Sequence, residues 1–453
     1  MNGGVNIEGD YFFLNSDCLL VSGAVRAAIY CVSTGDVYSI DRAGKEAIEL
    51  LEQGAPASGI QNLHHNGKDS TAFLRELEAL HLGSFTSSPT PPSRITPQPV
   101  SQGLQKIWLE VVPSCNLICV HCYADSSSQK GTGSLSVEKW KSLISEAAHL
   151  GARWIQLIGG EPLLYGKKNI FQLVSAAEAA RYGFIEIFTN GTLIDSEYAN
   201  FFAQHSTNIA LSIYASRPEV HDKVTRCSGS FERTIRGAEI LQKFNVPFRV
   251  GLIVMKQNYK YTEETLGWLK ATFGNIMVSP DIIRCTPGSR CQRKSLTPVL
   301  WRKRLRTTAS FPRLSPEQFA RNKLGHPCFK GEICIQPDGR IFPCIMDRNH
   351  VLGDVTTSEL GKIIAGEVTQ SIWGLSKDHI PICCDCEYRY ACFDCPPLSA
   401  CITGAQSDIF AKDPLCLYDP YKAEWEDAAH FLKKFNSSSV LERKKHSRRC
   451  KNV

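Results

Sequence analysis

The chain has 453 residues, 43% of them hydrophobic and 21% charged, with a formal net charge of +6. Such a composition excludes a disordered or fibrous chain and allows two or three domains with their own cores. No stretch has the apolar length of a membrane span, no basic-then-apolar export signal opens the chain, and no aromatic-interleaved basic patch suggests nucleic acid. A cytoplasmic location is expected. Nineteen cysteines in such a protein argue for metal ligation rather than a disulfide framework.

In chain order, residues 1–85 hold apolar strand-like stretches at 11–14, 28–31 and 37–40, then helical patterns at 44–53 and 71–82. That predicts a small α+β module. Residues 86–103 follow as a linker; the Ser-, Thr- and Pro-rich stretch from Ser84 to Gly103 predicts an extended, mobile segment.

Residues 104–284 alternate strands and helices. Strands are expected at 106–112, 154–158, 184–189, 208–214, 247–254 and 276–282. The helix at 137–150 has an apolar face of Trp140, Leu143, Ile144, Ala147 and Ala148, and the helix at 231–244 one of Phe231, Ile235, Ala238, Leu241 and Phe244. Six β-then-α units predict an α/β fold: a parallel sheet closed partway into a (β/α)6 barrel, with its mouth at the strands' C-terminal ends. Residues 285–430 have little periodicity and many cysteines, as in a loop-rich domain held by metal. Residues 431–453 end in a basic run, Arg443 to Arg449, that reads as a solvated terminus.

The first expected barrel strand runs into Cys115, Cys119 and Cys122, spaced C-x3-C-x2-C. Three thiolates from one loop can hold three irons of a cubane and leave the fourth open, where four cysteines would make an electron carrier. A zinc knuckle is the rival, although structural zinc wants four ligands. Gly159-Gly160-Glu161-Pro162 follows the second strand, Thr189-Asn190-Gly191-Thr192 ends the third, and Ser212 ends the fourth. Each alone suits a local turn or a buried hydroxyl. Their convergence at one end of consecutive parallel strands, beside the cysteines, marks a site.

The second array runs Cys328-x5-Cys334-x9-Cys344, then Cys383-x2-Cys386-x5-Cys392-x2-Cys395, then Cys416. Eight thiolates suffice for two fully ligated four-iron clusters, and equally for two zinc ions.

The C-x3-C-x2-C loop with Gly-Gly-Glu-Pro after the next strand resembles the radical S-adenosylmethionine (SAM) enzymes. That resemblance implies that Cys115, Cys119 and Cys122 hold a [4Fe-4S] cluster whose open iron takes SAM. Reductive cleavage then yields methionine and a 5′-deoxyadenosyl radical that abstracts a hydrogen atom. It further implies that His121 lies near the adenine, that Gly159, Gly160, Glu161 and Pro162 meet the methionine amino group, that Asn190 and Ser212 face the nucleoside, and that Arg226 pairs with the methionine carboxylate.

The second array resembles the SPASM domain, which carries two auxiliary clusters. The likeness assigns Cys328, Cys334, Cys344 and Cys395 to one cluster and Cys383, Cys386, Cys392 and Cys416 to the other. The family more usually has three residues where this chain has two between Cys392 and Cys395, and Cys384 and Cys401 compete as ligands. Cys227 or Cys285 is placed to return a hydrogen atom to a substrate radical. The other cysteines (Cys18, Cys31, Cys291 and Cys450) read as small buried hydrophobes. Residues 1–85 are similar in size and element order to winged-helix-like leader-recognition modules of peptide-modifying radical enzymes, which add a leader to a sheet edge.

The expectation is therefore a maturase of a ribosomally made precursor peptide, supplied with electrons by a flavodoxin or ferredoxin. Its product would be a thioether, carbon–carbon or ether crosslink, or an epimer. The rivals are a sulfatase-type maturase that oxidises Cys or Ser to formylglycine and a non-catalytic, zinc-stapled binding protein. Metal analysis separates the last: three clusters require about twelve irons per chain in brown, anaerobically purified protein, and a colourless zinc protein would contradict both enzyme readings.

Overall fold

The computed structural model describes residues 11–60, 70–98, 103–129, 133–282, 290, 302, 304–403 and 409–437. Its main body is a nine-stranded sheet in the order β11-β10-β9-β8-β7-β6-β12-β13-β14. Six strands, β6 (Lys106–Val112), β7 (Trp154–Gly159), β8 (Phe184–Thr189), β9 (Asn208–Ser212), β10 (Phe248–Val254) and β11 (Val278–Ile282), pair in parallel. This is the expected partial barrel. β9 stops short of Tyr214, whose backbone N–H instead meets His221 Nδ1 at 3.3 Å.

Alternation along the strands divides their residues between two faces. Ile107, Leu109, Val111, Ile155, Leu157, Ile185 and Ile187 join one core under the helices. There α3 (Val137–His149) buries Trp140, Leu143, Ile144, Ala147 and Ala148, the face expected of it, and starts at Ser136, whose side chain caps the Lys139 N–H. On the helix Ser230–Lys243 the most buried positions are Ser230, Thr234, Gly237, Ala238 and Leu241. Phe231 and Ile235 are thus displaced from the buried centre, because Gly237 lets this helix press against the Gly191 carbonyl.

The opposite face is the barrel interior, where paired polar side chains stand beside an apolar cluster of Trp108, Ile158, Cys334 and Phe342. Gln156 donates to the Glu186 carboxylate, which also receives Arg249 Nε at 2.7 Å and Nη2 at 2.9 Å. Glu110 pairs with Arg348 at 2.5 Å.

The C-terminal region is more regular than its sequence implied. β12 (Glu332–Ile335) adds in parallel to β6, and β13 (Arg340–Phe342) and β14 (Gly353–Asp354) follow antiparallel. β12 and β13 together have seven residues, too few to show a period, so only pairing with β6 makes them strands.

The front module contains β1 (Tyr11–Leu14) paired with β5 (Gly83–Thr86), the meander β2 (Cys18–Ser22), β3 (Ala27–Cys31) and β4 (Val37–Ile40), and helices Arg42–Leu51 and Ser70–Ala79 around its own core. Neither β2 nor β5 was expected. The linker differs from expectation as well: its described part is extended but fastened. Arg94 Nη1 donates to the Leu14 and Asn15 carbonyls at 2.5 and 2.8 Å, its other nitrogen meets Glu52, and the Ile95 N–H reaches Ser16.

The module is also docked rather than loosely tethered. Tyr30 sits against Phe319 and Tyr390, with ring centroids 5.2 and 6.4 Å away, and its hydroxyl donates to the Glu387 carbonyl at 2.9 Å. The Ala24 N–H reaches the Asp385 carbonyl, and Arg389 holds that of Ser22. Tyr30→Ala empties this contact and should cost about 3–5 kcal/mol of docking energy. In calorimetry, unfolding of the module should then separate from that of the remainder; a single unshifted transition would contradict the docking.

Candidate functional site

The site is set by two backbones in contact at the barrel mouth. Where β7 ends, the Gly160 N–H donates to the Val112 carbonyl at 2.8 Å and the Glu161 N–H to that of Ser114 at 2.9 Å. A Cβ on Gly160 would lie 2.0 Å from the Ser114 oxygen, and one on Gly159, at φ +140°, 2.5 Å from the Val112 oxygen. Only glycine permits both the approach and the backbone angle. The pair of glycines thereby brings the end of β7 beside the start of the Cys115 loop.

Glu161 turns inward. Fully buried, its carboxylate accepts from Thr189 Oγ1 at 2.6 Å, the Asn190 N–H at 2.8 Å and the Leu163 N–H at 3.1 Å. Burial raises its pKa, and those three donors oppose the rise. With three donors from the protein, this carboxylate fixes the turn after β8.

That turn is locked to the cysteine loop. Asn190 Nδ2 donates to Asn116 Oδ1 at 2.8 Å and lies 3.9 Å from Cys115 Sγ, and Thr192 Oγ1 receives Asn116 Nδ2 at 2.8 Å. Thr192 belongs to the motif read at the end of the third strand; Asn116, next to Cys115, was not singled out from sequence.

Beyond Cys115 the loop is held from two sides. The Ile118 and Val120 N–H groups bond to the Thr225 and Val224 carbonyls of the helix Pro218–Thr225. Arg290 salt-bridges Asp125 at 2.7 Å and reaches the carbonyls of Cys119 and Ser126. No sequence signal marked Arg290, which lies over 160 positions from its partners.

The three thiols converge. Burial, then the Glu161 carboxylate and Cys122, push the Cys115 thiol up to about 12; burial, then Cys115 and Cys122, raise that of Cys119. Backbone N–H groups of Leu117 and Ser126 point at the sulfurs of Cys115 and Cys122, at 3.4 and 3.3 Å. Thiols that resist ionising alone, with donors already aimed at sulfur, suit a cationic iron centre.

Beside them His121 lies edge-on to Tyr214 at 4.8 Å, with its Nδ1 buried and unpartnered. Burial, then Arg290, lowers its pKa to about 4, so the imidazole is neutral at pH 7. Ser212 is half-buried at the end of β9. Arg226 follows the last helical residue in the left-handed conformation, φ 56°, and is exposed at the rim, where no described carboxylate pairs with it. Neighbouring Cys227 is held by Arg233 at 3.2 Å. Cys285 lies outside the described residues, as do Cys291, Cys450 and the basic run 443–449; the start of the expected tail belongs to a helix, Ala428–Ser437.

The second array falls into two groups. Cys334, fully buried on β12, neighbours Cys344, and Cys328 neighbours both Cys344 and Cys395. Cys383, Cys386, Cys392 and Cys416 line one cavity together with Arg306, Lys377, Arg389 and Lys412, and with the carboxylates of Asp394 and Asp413. A cavity with four thiols, in which four cations outnumber two carboxylates, fits an anionic cluster. Cys384 is disulfide-bonded and so stands apart from this set; the side chain of Cys401 is outside the described residues.

Asp394, fully buried between the groups, binds His326 Nε2 at 2.6 Å and Lys377. Burial opposes its ionisation, but Lys377 and His326 outweigh this and hold the carboxyl below its ordinary range.

Among the described residues, none of these cysteine sets brings three ligand atoms within 4.8 Å of one another. Tetrahedral zinc would space thiolate sulfurs about 3.8 Å apart. The wider sets suit the corners of an iron–sulfur cube.

Comparison with known proteins agrees with this arrangement. The model of the radical SAM superfamily matches residues 109–269, and that of the SPASM iron–sulfur cluster-binding domain matches 328–387. Residues 109–269 thus form a radical SAM domain and residues 328–387 a SPASM domain, and the cofactors that go with them are [4Fe-4S] clusters and SAM. Among curated relatives, the AdoMet-dependent heme synthase of Methanosarcina barkeri is 34% identical over 34% of this chain and 44% of its own. The chain thus spans less than half of that relative. The heme synthase of Oleidesulfovibrio alaskensis is 24% identical over 71% of this chain and 89% of its own.

Among solved structures, Streptococcus suis SuiB bound to precursor peptide SuiA superimposes with TM-score 0.54 at 13% identity, covering 89% of this chain and 98% of that one. Native anSMEcpe with bound AdoMet has TM-score 0.53 at 17% identity, covering 73% and 96%. At such identities the likeness is one of fold. Among the described residues no helix is long and apolar enough to cross a membrane.

Gly160→Ala should force the 112–114 backbone away and lower iron from about twelve to about eight per chain, with the absorbance of the remaining clusters kept. Full iron retention would contradict the role assigned to this contact.

Proposed function

We propose that this protein is a cytoplasmic maturase of a ribosomally made precursor peptide. Cys115, Cys119 and Cys122 hold the SAM-binding cluster, and the two C-terminal quartets hold auxiliary clusters. The observation carrying the peptide reading is the docked front module. The likeness to SuiB, a protein solved with its precursor peptide, extends over 89% of this chain, more than the residues after 103 can supply. The likeness to anSMEcpe covers 73%.

When bound, the reduced cluster and SAM supply a 5′-deoxyadenosyl radical that takes a hydrogen atom from the substrate. The chain's own residues position and shield that chemistry. Gly159 and Gly160 set the loop, the Asn116–Asn190–Thr192 network orients Cys115, and neutral His121 beside Tyr214 lines the nucleoside side without adding charge. Arg226 stands free at the rim for a carboxylate, with Ser212 across the mouth. The polar side chains of the interior, Gln156, Glu186, Arg249, Glu110 and Arg348, suit the amide groups of a peptide that enters the barrel. The exposed edges of the module sheets suit addition of a leader strand. A flavodoxin or ferredoxin supplies the electron.

A second reading has a specific support. A relative matched over 89% of its own length is a heme synthase, which favours a porphyrin substrate. Incubation of reduced, reconstituted enzyme with SAM and the precursor peptide encoded beside it decides between them. Loss of two hydrogens from the peptide indicates a crosslink; unchanged mass with deuterium uptake from solvent indicates epimerisation. Turnover of an iron porphyrin, or of a sulfatase peptide, with the precursor untouched would overturn the proposal.

A further inference from the structure

Outside the barrel and its clusters, among the described residues, one set of side chains brings three metal-ligating atoms within 4.8 Å of one another: Asp17, Cys18 and Cys31, in the front module. Cys18 and Cys31 are direct partners across β2 and β3, at the open end of that hairpin. Both thiols are free and buried, at 0% and 5% exposure. Asp17 precedes β2 and turns its carboxylate onto both sulfurs, with Oδ1 3.8 Å from Cys18 Sγ and Oδ2 3.5 Å from Cys31 Sγ. Ser33, two residues beyond β3, adds a hydroxyl 3.3 Å from Cys31 Sγ and bonded to Asp17.

These separations have a metric meaning. A tetrahedral zinc ion about 2.3 Å from sulfur and about 2.1 Å from oxygen spaces its ligand atoms about 3.4–3.8 Å apart. The sulfur–oxygen separations of 3.3–3.8 Å fall in that range, and one ligand atom from each of the three residues lies within 4.8 Å of the others.

We propose that Asp17, Cys18 and Cys31 form a structural zinc site, with Ser33 Oγ or a water as the fourth ligand. Binding releases the two thiol protons, and the cation offsets three like charges in a poorly solvated place. Without a cation, burial and then Cys31 keep the Cys18 thiol protonated. A plain Cys18–Cys31 disulfide would remove the two S–H donors that the Asp17 carboxylate faces and leave it Ser33 as its side-chain donor.

The site has a structural consequence. Cys31 begins the turn that carries Gly35 and Asp36 onto the segment after Arg306. There the Leu314 N–H donates to the Gly35 carbonyl at 2.9 Å, and Arg313 pairs with Asp36 at 3.0 Å. An ion fixing Cys31 and Ser33 would hold that turn in its docked form.

The test uses the full-length enzyme, reconstituted anaerobically with iron and sulfide, exposed to equimolar zinc and passed over a chelating resin. Elemental analysis then reads zinc and iron per chain. Wild type should keep about one zinc. Asp17→Asn, which leaves both thiols and their packing, should weaken retention at least tenfold, and the Cys18→Ser, Cys31→Ser double variant should abolish it, with iron unchanged in both. Wild type without zinc, equal zinc in all three proteins at matched iron, or a Cys18–Cys31 disulfide found by peptide mapping would each overturn the proposal. Because iron and peptide turnover are read separately, failure here is distinct from failure of the maturase reading.

Discussion

The mouth of this barrel depends on one contact, the van der Waals approach of two backbones at Gly159–Gly160 and Val112–Ser114. Two hydrogen bonds cross it, and there is no room for a Cβ on either glycine. The contact fixes where Cys115 begins, and Glu161, one residue on, fixes the turn that carries Asn190. The charged-group hydrogen bonds to Glu161 are of order 1.5–3 kcal/mol each. Together they hold two loops from different strands in one frame, as a cluster with one open iron requires.

Around this frame the protein separates apolar from polar work by strand alternation. Aliphatic residues on the outer face of the sheet bury against helices and supply stability. The inner face carries Glu110, Gln156, Glu186 and Arg249, satisfied by one another and by Arg348. Buried charges of this kind are costly unless paired, so their pairing allows polar side chains in the chamber of a stable barrel. The C-terminal region is integrated into this chamber rather than appended to it: β12 extends the sheet beside β6, Cys334 lies on that strand, and Arg348 reaches back to Glu110.

Charge also organises the C-terminal clusters' surroundings. The cavity of Cys383, Cys386, Cys392 and Cys416 includes Arg306, Lys377, Arg389 and Lys412, and Arg306 reaches Cys392 Sγ at 2.5 Å. Lys377 is shared with Asp394, which lies in sequence between cysteines of the two groups. One buried carboxylate thus ties the cationic wall of one site to the chain entering the other, a tighter arrangement than the shortened Cys392–Cys395 spacing alone conveys.

Much of this was legible in the chain. Strand and helix periods gave the six parallel strands nearly residue for residue, because a strand with one face against the helices places an apolar residue at every second position and a covering helix shows its stripe. Local cysteine spacings named both arrays for the same reason: ligands on one loop are fixed by covalent geometry. What the sequence could not show depends on partners distant along the chain. That Glu161 fixes the Thr189–Asn190 turn, that Arg290 clamps the cysteine loop, that the front module is docked through Tyr30, and that Cys18 and Cys31 meet Asp17 are all decided by which surfaces come together. Such contacts leave no period or spacing, since hydrogen bonds and packing depend on separation in space and not along the chain.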